Sequence, residues 1–128
     1  PWSNICALPA FWVGLLYDQE SLEAAGRLTA DLTAEDVMEA RLSAARDGLR
    51  GRIGRWDMYD LGCKVLQLSQ DGLRRRARLD DEGKDETGFL SPLVDAIADG
   101  KTPAERLLDM YHGDWEGDLS HVFETHQY

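Results

Sequence analysis

An unbroken apolar run near the start of the chain, ICALPAFWVGLLY at residues 5 to 17, constrains the fold more than any other feature. A helix that is apolar on every side has no face for solvent, so it must lie inside a protein or in a membrane. The thirteen residues of this run are too few to cross a bilayer, which needs about 20. The run therefore predicts a short, fully buried helix over residues 8 to 17, with Pro9 in its first turn.

Two interpretations of this run remain open. It can be plain core, or it can contribute Phe11, Trp12 and Tyr17 to the lining of a ligand pocket. Gly14 lacks a side chain and would let another helix approach closely. The run is not a secretory signal, because no basic segment precedes it and no small-residue cleavage site follows it.

Composition narrows the class of protein. The 128 residues are enough for one domain, and we expect residues 1 to 128 to form a single helical domain. The net charge of −10, from 24 acidic and 14 basic residues, argues against nucleic acid or an anionic membrane as partner. Cys6 and Cys63 fit no zinc spacing and are too few for a secreted disulfide scaffold, which indicates a reducing compartment and hence a cytoplasmic location.

The rest of the chain divides into amphipathic helices with recognisable ends. N-terminal caps are predicted at Asp18, Thr33, Asp57 and Thr102, and C-terminal stops at Gly48, Gly100 and Gly113. The helix after Thr33 is predicted to have an apolar stripe formed by Val37, Met38, Leu42 and Ala45. No alternating strand pattern persists, so the prediction is an all-α, compact bundle of about six helices around the buried N-terminal apolar helix.

The polar segments offer few sites for chemistry. Three glycines and four arginines alternate over residues 46 to 56, a pattern that could bind an anion. We favour a basic connecting loop that holds acidic neighbours, because no Walker ending is present. The three histidines, at positions 112, 121 and 126, are spaced too irregularly to indicate a metal site. The residues alone therefore predict no catalytic and no metal-binding side chain.

Four segments carry a resemblance to a known family. They are PW-x-x-x-CALPAFWVGLLYD at residues 1 to 18, DGLRRRARL at 71 to 79, GFLSPL at 88 to 93, and TPAERLLDMYHGDW through VFETHQY at 102 to 128. Together they resemble the C-terminal end of glutamate-cysteine ligase of the plant and proteobacterial type. The similarity runs along the whole chain, although His121 stands where the family pattern has proline, and the ending THQY is less apolar than expected.

The resemblance implies an ATP- and Mg²⁺-dependent ligase that makes γ-glutamylcysteine from glutamate and cysteine, the first step of glutathione synthesis. The γ-carboxylate of glutamate is phosphorylated, and the amine of cysteine then displaces phosphate. Phosphoryl transfer needs metal ions and basic residues that stabilise negative charge, and in the family these groups lie mostly in a larger upstream region. We therefore expect this chain to be a C-terminal fragment that packs against the upstream catalytic region, is inactive alone and holds no cofactor by itself. The resemblance does not specify which residues here bind substrates or ATP.

The resemblance also implies a role for Cys6. This residue resembles a cysteine that, in plant enzymes of the family, joins a regulatory disulfide coupled to dimerisation. Cys6 can therefore have a redox role, with the chain forming a homodimer, or it can be a buried free thiol. A second hypothesis for the whole chain is a free-standing helical interaction module without catalysis. If the upstream region covers part of the apolar helix, the isolated chain should expose apolar surface.

Overall fold

The computed structural model describes residues 2 to 125 of the chain. Helices in this range are α1 (Trp2–Leu16), α2 (Gln19–Thr29), α3 (Ala34–Asp47), α4 (Met58–Arg76), α5 (Ser91–Asp99), α6 (Pro103–His112) and α7 (Ser120–Thr125). Short 3-10 helices span Gly48–Arg50 and Glu86–Leu90. Two antiparallel strands, β1 (Arg52–Ile53) and β2 (Trp56–Asp57), pair with each other between α3 and α4. The prediction of an all-α bundle is confirmed, since this ladder has only two residues on each strand.

Side-chain caps begin the helices at the residues that the sequence indicates. Asp18 caps α2 by accepting a backbone N–H at 2.8 Å. Thr33 and Thr102 each form a capping box with the acidic residue three positions later. Asp57 precedes α4 as predicted, but its carboxylate forms an ion pair with Arg52 and makes no capping hydrogen bond. These local interactions set most of the helix boundaries.

The centre of the molecule is the contact between α1 and α4. Gly14 on α1 lies against α4 so closely that a Cβ atom there would be 2.3 Å from the carbonyl oxygen of Ser69. A Cβ atom on Gly72 would in turn be 2.0 Å from the carbonyl oxygen of Gly14. Only glycine permits this approach, which confirms the expectation that Gly14 admits a neighbouring helix.

Few large apolar side chains are fully covered. Leu66, Leu73 and Leu90 form the buried cluster. Side chains packed around this cluster, themselves half-buried, are Ala10, Phe11, Val13, Leu93, Val94 and Ile97. A compact monomer of 14.4 kDa should expose about 6,800 Å² of solvent-accessible surface. This chain exposes 8957 Å², so its own core leaves much surface uncovered.

The first helix differs from the prediction in two ways. It begins at Trp2 rather than near residue 8, and Pro9 lies inside it, where it donates no hydrogen bond to the preceding turn. It is also not buried on every side, since side chains on its outer face are about half exposed. The physical reason is geometrical: among residues 2 to 125, partners lie only on the side of α1 that faces α4 and its neighbours.

The predicted apolar stripe of α3 is largely exposed. Ala40 is buried, whereas Val37, Met38 and Leu42 are 46%, 60% and 75% exposed. The helix therefore packs through its small residue and presents its larger apolar residues to solvent. None of the helices in the described part of the chain combines the length and apolar content that a membrane crossing requires.

Candidate functional site

The outer face of α1 carries a continuous row of exposed apolar side chains. Ile5, Leu8, Trp12 and Leu16, which we name the outer stripe, recur at helical spacing and are 53%, 56%, 50% and 52% exposed. No charged residue occurs between Trp2 and Leu16. Contiguous exposed apolar surface of this kind is typical of a surface that another protein segment covers.

A shallow groove continues from the outer stripe onto α2. Its volume is about 440 Å³, and its lining consists of Phe11, Trp12, Leu15, Leu22, Ala25, Gly26, Thr29 and Val65. The ring of Phe11 meets that of Trp12 edge to face at 5.4 Å, which fixes the Trp12 side chain at the border of the groove. The described residues that line this groove include no charged side chain, so it suits apolar groups rather than an ionic substrate.

The structure brings two of the three predicted pocket residues together. Phe11 and Trp12 both line the groove, whereas Tyr17 is 75% exposed and lies outside it. The guanidinium of Arg76 sits over the Tyr17 ring at 5.7 Å from its centroid, a cation–π contact. Tyr17 therefore marks the end of α1 next to α4 rather than a part of the groove.

Both described cysteines are free thiols. Cys6 is exposed on α1, so the interpretation of a buried thiol is wrong, and a redox role remains a prediction. Cys63 is half-buried on α4, where it raises the pKa of the neighbouring Tyr59 hydroxyl through its charge.

A hydrogen-bonded cluster joins the turn between α1 and α2 to α4. The Arg75 guanidinium donates to the Asp18 carboxylate at 2.7 Å and to the Ser21 hydroxyl at 2.9 Å. The Ser21 hydroxyl, which is fully buried, donates to the carbonyl of Leu68 at 2.8 Å. The hydrogen bond from Arg75 holds the pKa of Asp18 well below its ordinary value of 3.8. Because every group here already has a partner, the cluster is structural.

The basic segment of residues 46 to 56, which begins at the end of α3, uses its arginines internally. Arg46, Arg50, Arg52 and Arg55 pair with Asp47, Glu105, Asp57 and Asp31 at nitrogen–oxygen distances of 2.8, 2.7, 3.0 and 2.8 Å. The interpretation of a connecting loop that holds acidic neighbours is therefore confirmed. A free anion would have to compete with these carboxylates.

Sequence reasoning missed a second groove, which lies between α2 and α4. Its volume is about 550 Å³, and Arg27, Cys63 and Lys64 are among its lining residues. The helical periodicity of each segment could not reveal it, because it depends on how two helices distant in sequence are placed. Arg27 pairs with Glu23 and Lys64 lies over the Trp56 ring, so both cations already have partners in the chain.

Each of the two described histidines lies beside an aromatic ring. Within residues 2 to 125, no three His, Cys, Asp or Glu side chains lie together so that they could hold a metal ion. The ring of His112 meets that of Tyr111 at 5.0 Å, and His121 stacks on Trp115 at 5.9 Å. His126 lies outside the described residues.

Comparison with known proteins places the chain in a family. The model of glutamate-cysteine ligase family 2 matches residues 1 to 125. A chloroplastic glutamate-cysteine ligase of Medicago truncatula is 43% identical over 124 residues, which cover 97% of this chain and 23% of the relative. The chloroplastic ligases of Arabidopsis thaliana and Nicotiana tabacum are 43% and 40% identical, and each alignment again covers 97% of this chain and 23% of the relative. The chain thus spans about a quarter of the length of the curated relatives it matches.

These relatives correct the expected location. The matched ligases named above are all chloroplastic, which contradicts the prediction of a cytoplasmic protein. The cysteine argument failed because the number of cysteines reports on redox conditions and does not distinguish one reducing compartment from another.

Proposed function

The chain belongs to glutamate-cysteine ligase family 2, and on that premise we propose that it is the C-terminal helical part of a longer ATP-dependent ligase. The longer enzyme joins glutamate and cysteine into γ-glutamylcysteine, the first step of glutathione synthesis. The observation that carries the proposal is the match of 97% of this chain to only 23% of a glutamate-cysteine ligase.

Within that enzyme, this segment acts by packing rather than by chemistry. The arginines of its basic loop are paired with its own carboxylates, and its described residues do not assemble a metal site. ATP, Mg²⁺ and the two substrates would then bind to the remaining part of the ligase, and this chain alone would be inactive. Its large exposed surface agrees with a segment that folds against a larger body.

Release of ADP tests this proposal directly. The chain alone and the complete ligase polypeptide that contains it are each supplied with ATP, Mg²⁺, glutamate and cysteine. We expect ADP and γ-glutamylcysteine only from the complete polypeptide, and omission of cysteine serves as the control for unrelated ATP hydrolysis. Product from the chain alone would contradict the packing role. No product from either form would contradict the assigned reaction and favour a free-standing interaction module.

A further inference from the structure

We infer that the outer stripe of α1, together with the adjoining groove, is the surface on which the rest of the ligase polypeptide docks. This inference rests on the proposed function and adds to it the location of the contact. Four half-exposed apolar side chains lie in line along α1, and Trp12 joins them to a groove of about 440 Å³ without charged lining. An apolar ridge beside an apolar groove accepts interdigitating side chains of the kind found at the core of an interface.

The amount of exposed surface agrees with this contact. The chain exposes about 2,100 Å² more than a compact monomer of its mass should. A standard interface covers about 800 Å² on each partner. The excess, summed over the whole chain, is larger than one partner's share of a standard interface, and the three quarters of each relative that this chain does not match are long enough to cover such a surface.

A second copy of this chain is a poorer occupant. The net charge of −10 opposes the approach of two identical chains, because like charges repel over the whole approaching surface. The exposed apolar face of α3 is also less suited to docking. Met38 and Leu42 there lie among Glu35, Glu39 and Arg41, whose charges would have to be desolvated in a contact.

Hydroxyl-radical footprinting read by mass spectrometry measures the exposure of these side chains without relying on activity. Trp12 on α1 and Met38 on α3 form a matched pair, since both react readily and both are about half exposed or more. In the complete ligase we expect Trp12 to oxidise about fivefold more slowly than in the chain alone, because interface core residues lose most of their contact with water. Met38 should oxidise at the same rate in both forms.

Two variants of the complete ligase sharpen the test. Leu8→Arg places a charge in the outer stripe and should raise the oxidation rate of Trp12 to that of the chain alone. Leu42→Arg makes the same change on α3 and should leave Trp12 protected. Equal Trp12 rates in the complete ligase and in the chain alone would overturn the inference, and so would equal effects of the two variants.

The remaining outcomes separate this inference from the proposed function. Trp12 protection that increases with the concentration of the isolated chain would identify a second copy as the occupant and overturn the inference. Trp12 protection in a complete polypeptide without ligase activity would support the docking surface while removing the reaction. Ligase activity with unprotected Trp12 would support the reaction and overturn the docking surface.

Discussion

The two sides of α1 carry the same kind of residue and meet opposite environments. Leu15, on the covered side beside α2 and Val65 of α4, is 5% exposed, whereas its neighbour Leu16 is 52% exposed. The inner side also contains Ala7 and Gly14, whose small size allows close approach of backbones. The comparison teaches that apolar character alone does not decide burial within this chain. The partners available to each side decide it, and the absence of side chains at Gly14 and Gly72 lets α4 approach one side closely.

Polar contacts reinforce the inner side. The fully buried hydroxyl of Ser69 on α4 donates to the carbonyl of Phe11 on α1 at 2.9 Å, and next to this contact Ser21 of α2 donates to the carbonyl of Leu68 on α4. Such bonds between a serine and a helix carbonyl are possible only where two helices lie very close. The outer stripe has no equivalent polar contacts in the described chain, and its residues retain the freedom to pack against another surface.

The largest expected effect comes from truncating α1 on its inner side. Leu15→Ala should lower the free energy of unfolding by about 3 kcal/mol, because it removes buried methyl groups and leaves a cavity. Leu16→Ala makes the same chemical change one residue later and should cost less than about 1 kcal/mol, since Leu16 is half exposed. Urea unfolding followed by circular dichroism measures the free energy of unfolding of both variants. Equal losses of stability would refute the assignment of Leu15 to the inner side and Leu16 to the outer side.

A smaller loss is expected from adding one methyl group between α1 and α4. Gly72→Ala would place a Cβ atom 2.0 Å from the Gly14 carbonyl oxygen, so the helices must separate. The expected loss is about 2 kcal/mol.

The matched control for this substitution is Gly26→Ala on α2. No atom lies within 4 Å of the added Cβ there, and alanine should stabilise the helix by about 0.5–1 kcal/mol. Chemical denaturation of both variants measures the change in the free energy of unfolding, which should be a loss for Gly72→Ala and a gain for Gly26→Ala. A neutral Gly72→Ala would mean that the two helices do not approach as closely as described.

Acid should weaken the cluster that anchors the inner side. Because Arg75 lowers the pKa of Asp18 in the folded state, the stabilisation is complete above the ordinary pKa of 3.8 and is lost as pH falls toward the lowered folded value. The stability difference between the wild type and Asp18→Asn should therefore be constant near neutral pH and shrink below pH 3.8.

Unfolding curves at several pH values test this dependence. In an Arg75→Gln background the difference should vary less with pH, because the guanidinium is the main cause of the lowered pKa. If the stability difference between the wild type and Asp18→Asn grew on acidification, it would contradict a lowered pKa of Asp18 in the folded state.

The smallest effect on stability is expected on the outer stripe. Leu8→Gln in the isolated chain should change the free energy of unfolding by no more than about 0.5 kcal/mol, because the side chain is mostly in water. The fluorescence of a bound hydrophobic dye should nevertheless fall, since an uninterrupted apolar stripe is the surface such dyes prefer. Unchanged dye fluorescence, with a fall in a Leu42→Gln variant, would place the main apolar surface on α3 instead.

Much of the fold was predictable because it depends on short-range interactions. The capping boxes at Thr33 and Thr102 and the cap at Asp18 each join groups three residues apart, so sequence spacing reveals them. The same reasoning was insufficient for α3, where periodicity identified an apolar face without showing that it stays largely exposed among the described residues. Pro9 misled the placement of the first helix, since its usual position is the first turn.

The sequence pointed to part of the groove without settling its use. Phe11 and Trp12, which one of the two interpretations of the apolar run placed in a pocket lining, are among the residues that line the groove. Tyr17 fell outside the groove because α1 ends at Leu16, and the chain turns there toward α2. The groove between α2 and α4 gave no signal, since its lining residues are far apart in sequence.

The sequence by itself determined the helical class, most helix boundaries, the close approach at Gly14 and, through its motifs, the family. These properties follow from local hydrogen bonding, side-chain size and residue order. Only the tertiary structure decided which side of the apolar helix is covered. That outcome depends on the partners available to each face, and within this chain α4 covers one face while the outer stripe stays in contact with water.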